Sequence, residues 1–120
     1  RSAMRAGGDP QAAQATESRL KQLIAREPSA PLYFSLGNLY AEQGQWRDAQ
    51  QAYFQAHHLD ARNPDYAYNL AVGLEHLAQP KIALDYYRKA LELASARGGA
   101  HFDSTRAEQR VKQLSASAEK

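Results

Sequence analysis

The chain has 120 residues, 43% hydrophobic and 23% charged, the balance of one ordinary globular domain. Its 15 basic and 13 acidic residues are interspersed and leave a formal charge of +2, so neither nucleic acid nor an anionic membrane is an expected partner. There is no cysteine, which excludes disulfides, thiolate metal sites and cysteine nucleophiles, and no run of about 18 apolar residues that would insert in a bilayer.

The chain opens on Arg1 without a signal-peptide pattern. It is expected to be a fragment or processed product, with residues 1–4 reading as a cloning remnant and residues 1–8 as a flexible segment. Asp9-Pro10 then opens a helix over about 10–26, whose apolar stripe is Leu20, Leu23 and Ile24, and Glu27-Pro28 ends it. A second helix covers 31–43, because Tyr33, Leu36, Gly37 and Tyr40 fall at spacings of three and four. Gly44 stops it, being free to take a positive φ. Trp46 falls in the turn as a half-buried anchor.

The third helix, 47–60, carries Ala49, Tyr53, Ala56 and Leu59 at the same rhythm. Small residues at Gly37, Ala49 and Ala56 let the two helices approach closely, with Tyr53 filling the adjacent space. Asn63 caps and Pro64 begins a fourth helix over 64–77. Pro80 begins a fifth over 80–95, with Ala83, Leu84, Tyr87, Ala90, Leu91 and Leu93 turned inward. Arg97-Gly98-Gly99 is a break. Asp103 then caps a last helix over 103–114, with Phe102 placed to staple against Ala107. Ala107, Val111 and Leu114 form its inner stripe, and its other faces are polar, as a terminal helix needs. Residues 115–120 read as a flexible tail.

At an offset of 34, Leu36, Gln45, Ala49, Tyr53, Ala56 and Leu59 recur as Leu70, Gln79, Ala83, Tyr87, Ala90 and Leu93. A fixed period of this length indicates stacked supersecondary units. The pattern resembles the tetratricopeptide repeat: an aromatic, Leu-Gly, Tyr, then Ala and an aromatic four residues on. Repeat one matches through Tyr33, Leu36-Gly37, Tyr40, Gly44, Ala49, Tyr53 and Ala56; repeat two matches through Leu70-Ala71, Ala83, Tyr87, Ala90 and Leu91. Repeat two departs at Ala67 and Leu74, where aromatics are usual, and Ala61 and Ser95 replace the proline that usually ends the second helix. The resemblance implies an all-α helix-turn-helix solenoid within residues 9–114. Two full repeats would be flanked by the second helix of an incomplete upstream repeat and by a C-terminal capping helix.

In that family the first helix of each repeat lines a concave groove. Carried over by position, the groove takes Phe34, Asn38, Ala41 and Glu42 from repeat one. From repeat two it takes Asp65, Tyr68, Asn69, Val72, Glu75 and His76. Phe34 and Tyr68 are equivalent and are expected side by side, suited to a peptide or protein segment with apolar or aromatic side chains. Asn38 and Asn69 stand 31 apart, as in a clamp for a peptide's terminal carboxylate. The lysine of that clamp is replaced by Phe34, and its basic pair would fall near Gly99 and Asp103, so the clamp is not expected.

The run from Tyr68 to Leu91, with Phe102-Asp103 and the following helix, is similar to bacterial repeat proteins of type IV pilus (MSHA-type) biogenesis and secretion systems. This implies a bacterial scaffold or adaptor that follows a membrane-anchored stretch. An alternative is an oligomerisation domain, its groove filled by its own or a sister chain's terminal helix.

Catalysis is not expected. His57 and His58 point about 100° apart on a helix, and His57 occupies the place of Leu91 one repeat on, a packing position. No nucleophile elbow, phosphate loop or metal-ligand spacing occurs, so no cofactor or metal is expected. An enzyme reading would have to pair His76 with Glu42 or Glu75.

Overall fold

The computed structural model describes residues 9–118, and these form six helices: α1 (Pro10–Arg26), α2 (Ala30–Glu42), α3 (Trp46–Leu59), α4 (Pro64–His76), α5 (Pro80–Arg97) and α6 (Ser104–Ala118). The segment 1–8 lies outside the described residues. Each boundary has a local cause. The side chains of Asp9, Ser29, Asn63 and Asp103 accept from backbone N–H groups of Gln11, Leu32, Asp65 and Thr105, which satisfies donors the first turn leaves open. Pro10, Pro31, Pro64 and Pro80 sit in first turns, where no N–H is needed.

Two boundaries differ from the sequence expectation by more than one residue. α5 continues past Ser95 to Arg97 and stops at Gly98, whose φ of 91° closes the helix. α6 runs to Ala118, so residues 115–118, expected in a flexible tail, are helical. The alanines there are the best helix formers and nothing in Ser115–Ala118 breaks a helix.

Successive helices pack antiparallel in a solenoid, α2 with α3 and α4 with α5 as the two repeats. α2, α4 and α6 form one wall, seen in Phe34 against Tyr66 and Tyr68 against Phe102. α1, α3 and α5 form the other, where the rings of His57 and Tyr86 meet at right angles. The core between the walls holds Leu36, Tyr40, Ala49, Tyr53, Leu70, Ala71, Leu74, Ala83, Leu84 and Tyr87. Ala49, Ala56, Ala83 and Ala90 have no exposed surface, the close approach that their size permits. Leu59, expected inward, is 49% exposed, and His57 is buried in its stead. Tyr53 and Ala56 already fill the inner stripe, and a helix of 3.6 residues per turn carries position 59 away from it.

α1 packs on α2 and donates a polar tie: the Tyr40 hydroxyl donates to Glu17 at 2.9 Å, and Lys21 pairs with the same carboxylate at 2.9 Å. These bonds, Lys21 first and Tyr40 second, hold the Glu17 carboxyl below its ordinary pKa. Among the described residues no helix is long and apolar enough to cross a membrane.

Candidate functional site

The ten residues singled out from the sequence all lie on α2 and α4, on the wall that α6 completes. The structure uses them unequally. On α2, Phe34 is half-buried, its ring 5.7 Å from Tyr53 and 4.9 Å from Tyr66. Its aromatic neighbours are therefore Tyr53 and Tyr66. Tyr68, expected beside it, instead meets Tyr87 edge-on and stacks flat on Phe102, with centroids 4.4 Å apart. The reason is the following helix: at each repeat the space beside this position is taken by the next element of the wall. Phe102, which the sequence placed to staple the start of α6, stacks on Tyr68.

Asp65 is the clearest correction. It was expected to face a ligand, yet it is 7% exposed and its carboxylate accepts from the backbone N–H groups of His101 and Phe102, at 2.9 and 3.1 Å. It anchors the loop that delivers α6. Glu75 is also engaged. It accepts from the Tyr87 hydroxyl at 2.8 Å and from Arg110 Nε at 3.2 Å, and its second oxygen pairs with Arg110. Burial raises the Tyr87 hydroxyl far above its ordinary pKa, so it stays a donor.

Five positions keep unused capacity. Asn38 accepts the Tyr53 hydroxyl at 2.7 Å on its carbonyl oxygen, which leaves its amide N–H groups as donors. Tyr53, pushed up to about 12 by burial and then by the Glu42 charge, holds that proton. Asn69 donates to the Asp65 carbonyl at 2.8 Å and keeps its side-chain oxygen as an acceptor. Ala41 and Val72 are half-buried and apolar, and Glu42 is exposed. Val72, Glu75 and His76 line a hollow of about 200 Å³. His76 itself is exposed and lies flat on Trp46 at the start of α3, with ring centroids 3.7 Å apart. Trp46 is half-buried as expected, but it is the first residue of α3 and not a turn residue.

No family model and no curated sequence matches this chain. Solved structures do. The chain superimposes on a type III secretion system complex from Aeromonas hydrophila with a TM-score of 0.81 at 19% identity, covering 91% of this chain and 73% of that one. PcrH in complex with the chaperone binding region of PopD gives 0.80 at 18% identity, covering 90% and 82%. The type III secretion translocator chaperone SycD of Yersinia enterocolitica gives 0.76 at 17%, covering 92% and 77%. The fold is that of a tetratricopeptide-like solenoid. At these identities the likeness is one of fold.

Sequence reasoning missed Arg110, Phe102 and the His101 backbone as the groups that meet Tyr68, Glu75 and Asp65. The offset of 34 could not reveal them, because three extra loop residues precede α6.

Proposed function

We propose that this domain is a protein-binding scaffold that holds a peptide or protein segment along the α2–α4 wall. The observation that carries the reading is the unused capacity of that wall. Half-buried Phe34, Ala41 and Val72 offer apolar area, while Asn38 keeps a donor and Asn69 an acceptor, the two needs of a peptide backbone. The fold likeness to PcrH bound to a region of PopD supports it. The reading assigns the domain no catalytic step. Its setting would be a bacterial secretion assembly, or the pilus biogenesis that the Tyr68–Leu91 run resembles.

One observation favours a second reading. The repeat-two end of the wall is already covered by α6 and the loop before it, through Phe102 on Tyr68 and Arg110 on Glu75. An arriving segment would then occupy the repeat-one end, or displace α6.

The test begins with crosslinking in the host and mass spectrometry of the captured protein. Its contacting segment is then synthesised and titrated by fluorescence polarisation. Phe34→Ala with Tyr68→Ala, checked for retained helicity, should weaken binding by about 2 kcal/mol, the scale of an aromatic anchor. Unchanged affinity in the double variant would place the segment elsewhere.

A further inference from the structure

The two walls of the solenoid differ in charge. α2 and α4 together carry three carboxylates, Glu42, Asp65 and Glu75, and no lysine or arginine. The opposite wall of α1, α3 and α5 carries eight basic against four acidic side chains. The chain as a whole is basic, at +2, so its composition alone does not account for a wall without cations. Two of the three carboxylates are matched from within the chain. Asp65 takes the N–H groups of His101 and Phe102, and Glu75 takes Arg110 of α6 together with the Tyr87 hydroxyl. Glu42 differs. It is exposed in the last turn of α2 and has no ion-pair partner among the described residues. It stands one turn beyond Asn38 on the same helix face, and its charge reaches the Tyr53 hydroxyl that Asn38 accepts. The carboxylate therefore belongs to the wall. Arg47, the nearest cation in sequence, makes no pair with it. α6 lies beyond α4, about two helix spacings of 8–10 Å from α2, too far for Arg106 or Lys112 to reach it.

Repeat two shows how such a wall is satisfied. One segment lays an aromatic ring on Tyr68 and an arginine on Glu75, through Phe102 and Arg110. Repeat one offers the same two kinds of group, half-buried Phe34 and the carboxylate of Glu42, with half-buried Ala41 and Val72 on the same wall. We infer that the segment this wall takes from another protein is basic: it sets an arginine or lysine among apolar side chains and brings that cation to Glu42. The inference rests on the segment-binding reading above and adds the charge of the segment. The guanidinium or ammonium pairs with Glu42 while its methylene stem lies along apolar wall. An acidic segment would set its charge against Glu42, with no lysine or arginine on either helix to offset it.

Three labelled peptides test this. They share one frame, with phenylalanine and leucine along one helical face, and carry arginine, glutamine or glutamate at the polar positions. Each is titrated by fluorescence polarisation against the 120-residue chain at low and high salt. The arginine peptide should bind about fivefold tighter than the glutamine one, the upper scale of an exposed ion pair, and the glutamate peptide should bind weakest. Added salt should shrink the margin. Glu42→Gln should remove the margin without changing the affinity for the glutamine peptide, and Glu42→Lys should turn the preference toward glutamate, both with the thermal melt unchanged. Binding that Phe34→Ala with Tyr68→Ala abolishes but that shows no charge preference, or a margin that survives Glu42→Gln, overturns this inference and leaves the segment-binding reading standing. Failure of all three peptides to bind, or equal binding to the Phe34/Tyr68 variant, overturns that reading and the inference with it. Polarisation that falls again as the chain is concentrated, with a matching rise in sedimentation coefficient, would give Glu42 to α6 of a second copy and overturns the assignment to another protein.

Discussion

Tyr53 and Tyr87 occupy the same place in successive repeats, and each is 2% exposed. Their hydroxyls nonetheless serve different ends. Tyr53 donates to Asn38, a neutral amide of its own repeat, and the bond ties α3 to α2 alone. Tyr87 donates to Glu75, and that carboxylate also holds Arg110, so one network ties α5, α4 and α6 together. The scaffold position dictates a buried tyrosine; the residue opposite decides whether the repeat closes on itself or fastens the next helix. Repeat one is therefore left open along its wall, and repeat two is stitched to its cap.

Leu36 and Leu70 test how far this difference reaches into the core. Leu70 has no exposed surface, whereas Leu36 is 6% exposed and lines a hollow beside α3. Leu70→Ala should cost about 2–5 kcal/mol in urea unfolding, and Leu36→Ala should fall at the low end, because neighbours can relax into existing space. Equal losses would mean that the repeats are energetically alike.

The next effect is at Gly37. A Cβ there would stand 2.6 Å from Tyr53 Cδ1, and that ring is held by Phe34 and by its bond to Asn38. Repeat two carries Ala71 at this place, fully buried, so its tyrosine accommodates the methyl. Gly37→Ala should therefore destabilise by about 1–2 kcal/mol, the strain of overpacking less roughly 1 kcal/mol of helix propensity gained. A stabilised variant would show that Tyr53 is free to shift.

Much of this asymmetry is not periodic, which marks what could be read from the chain. The offset of 34, the proline and Ser/Asp/Asn caps and the small residues at the helix contacts are local or repeating signals, and the elements they predict are present. Asp65, Glu75 and Tyr68 were legible as positions but not as contacts. Their partners come from α6 and from the loop before it, whose length differs from the other connections, so no repeat of the pattern points to Phe102 or Arg110. Leu59 failed for a simpler reason: at the last turn of a helix, one residue of drift exchanges an inner place for an outer one. The unused donor of Asn38 was likewise hidden, since only the Tyr53 bond determines which end of the amide remains.

The turns between paired helices offer a smaller, reciprocal test. Gly44 at φ 74° and Ala78 at φ 60° are equivalent, and both turns are left-handed. An alanine there carries a strain of roughly 1–2 kcal/mol, partly offset because glycine costs more entropy to order. Ala78→Gly should stabilise by about 0.5–1 kcal/mol and Gly44→Ala should destabilise by a similar amount. Chemical denaturation of the pair would show whether the two turns bear equal strain.

The smallest effect, and the one that separates the repeats by pH, is at His57. Its counterpart is Leu91, which does not titrate. His57 is buried with its ring perpendicular to that of Tyr86, and its Nδ1 has no hydrogen-bond partner among the described residues. Burial first, and then the charge of Lys89, hold the imidazole below its ordinary pKa of 6.5; His58 adds to this, and Asp60 opposes it. The unfolded chain therefore takes up a proton at a pH where the folded chain does not. The stability that this neutral imidazole contributes is whole above 6.5 and is lost as pH falls from there to the lowered folded-state value. His57→Leu, which copies repeat two, should flatten the thermal-melt profile across that window while leaving the neutral-pH melt little changed. If wild type and variant fall together on acidification, the proton is taken up elsewhere and the two repeats do not differ in this respect.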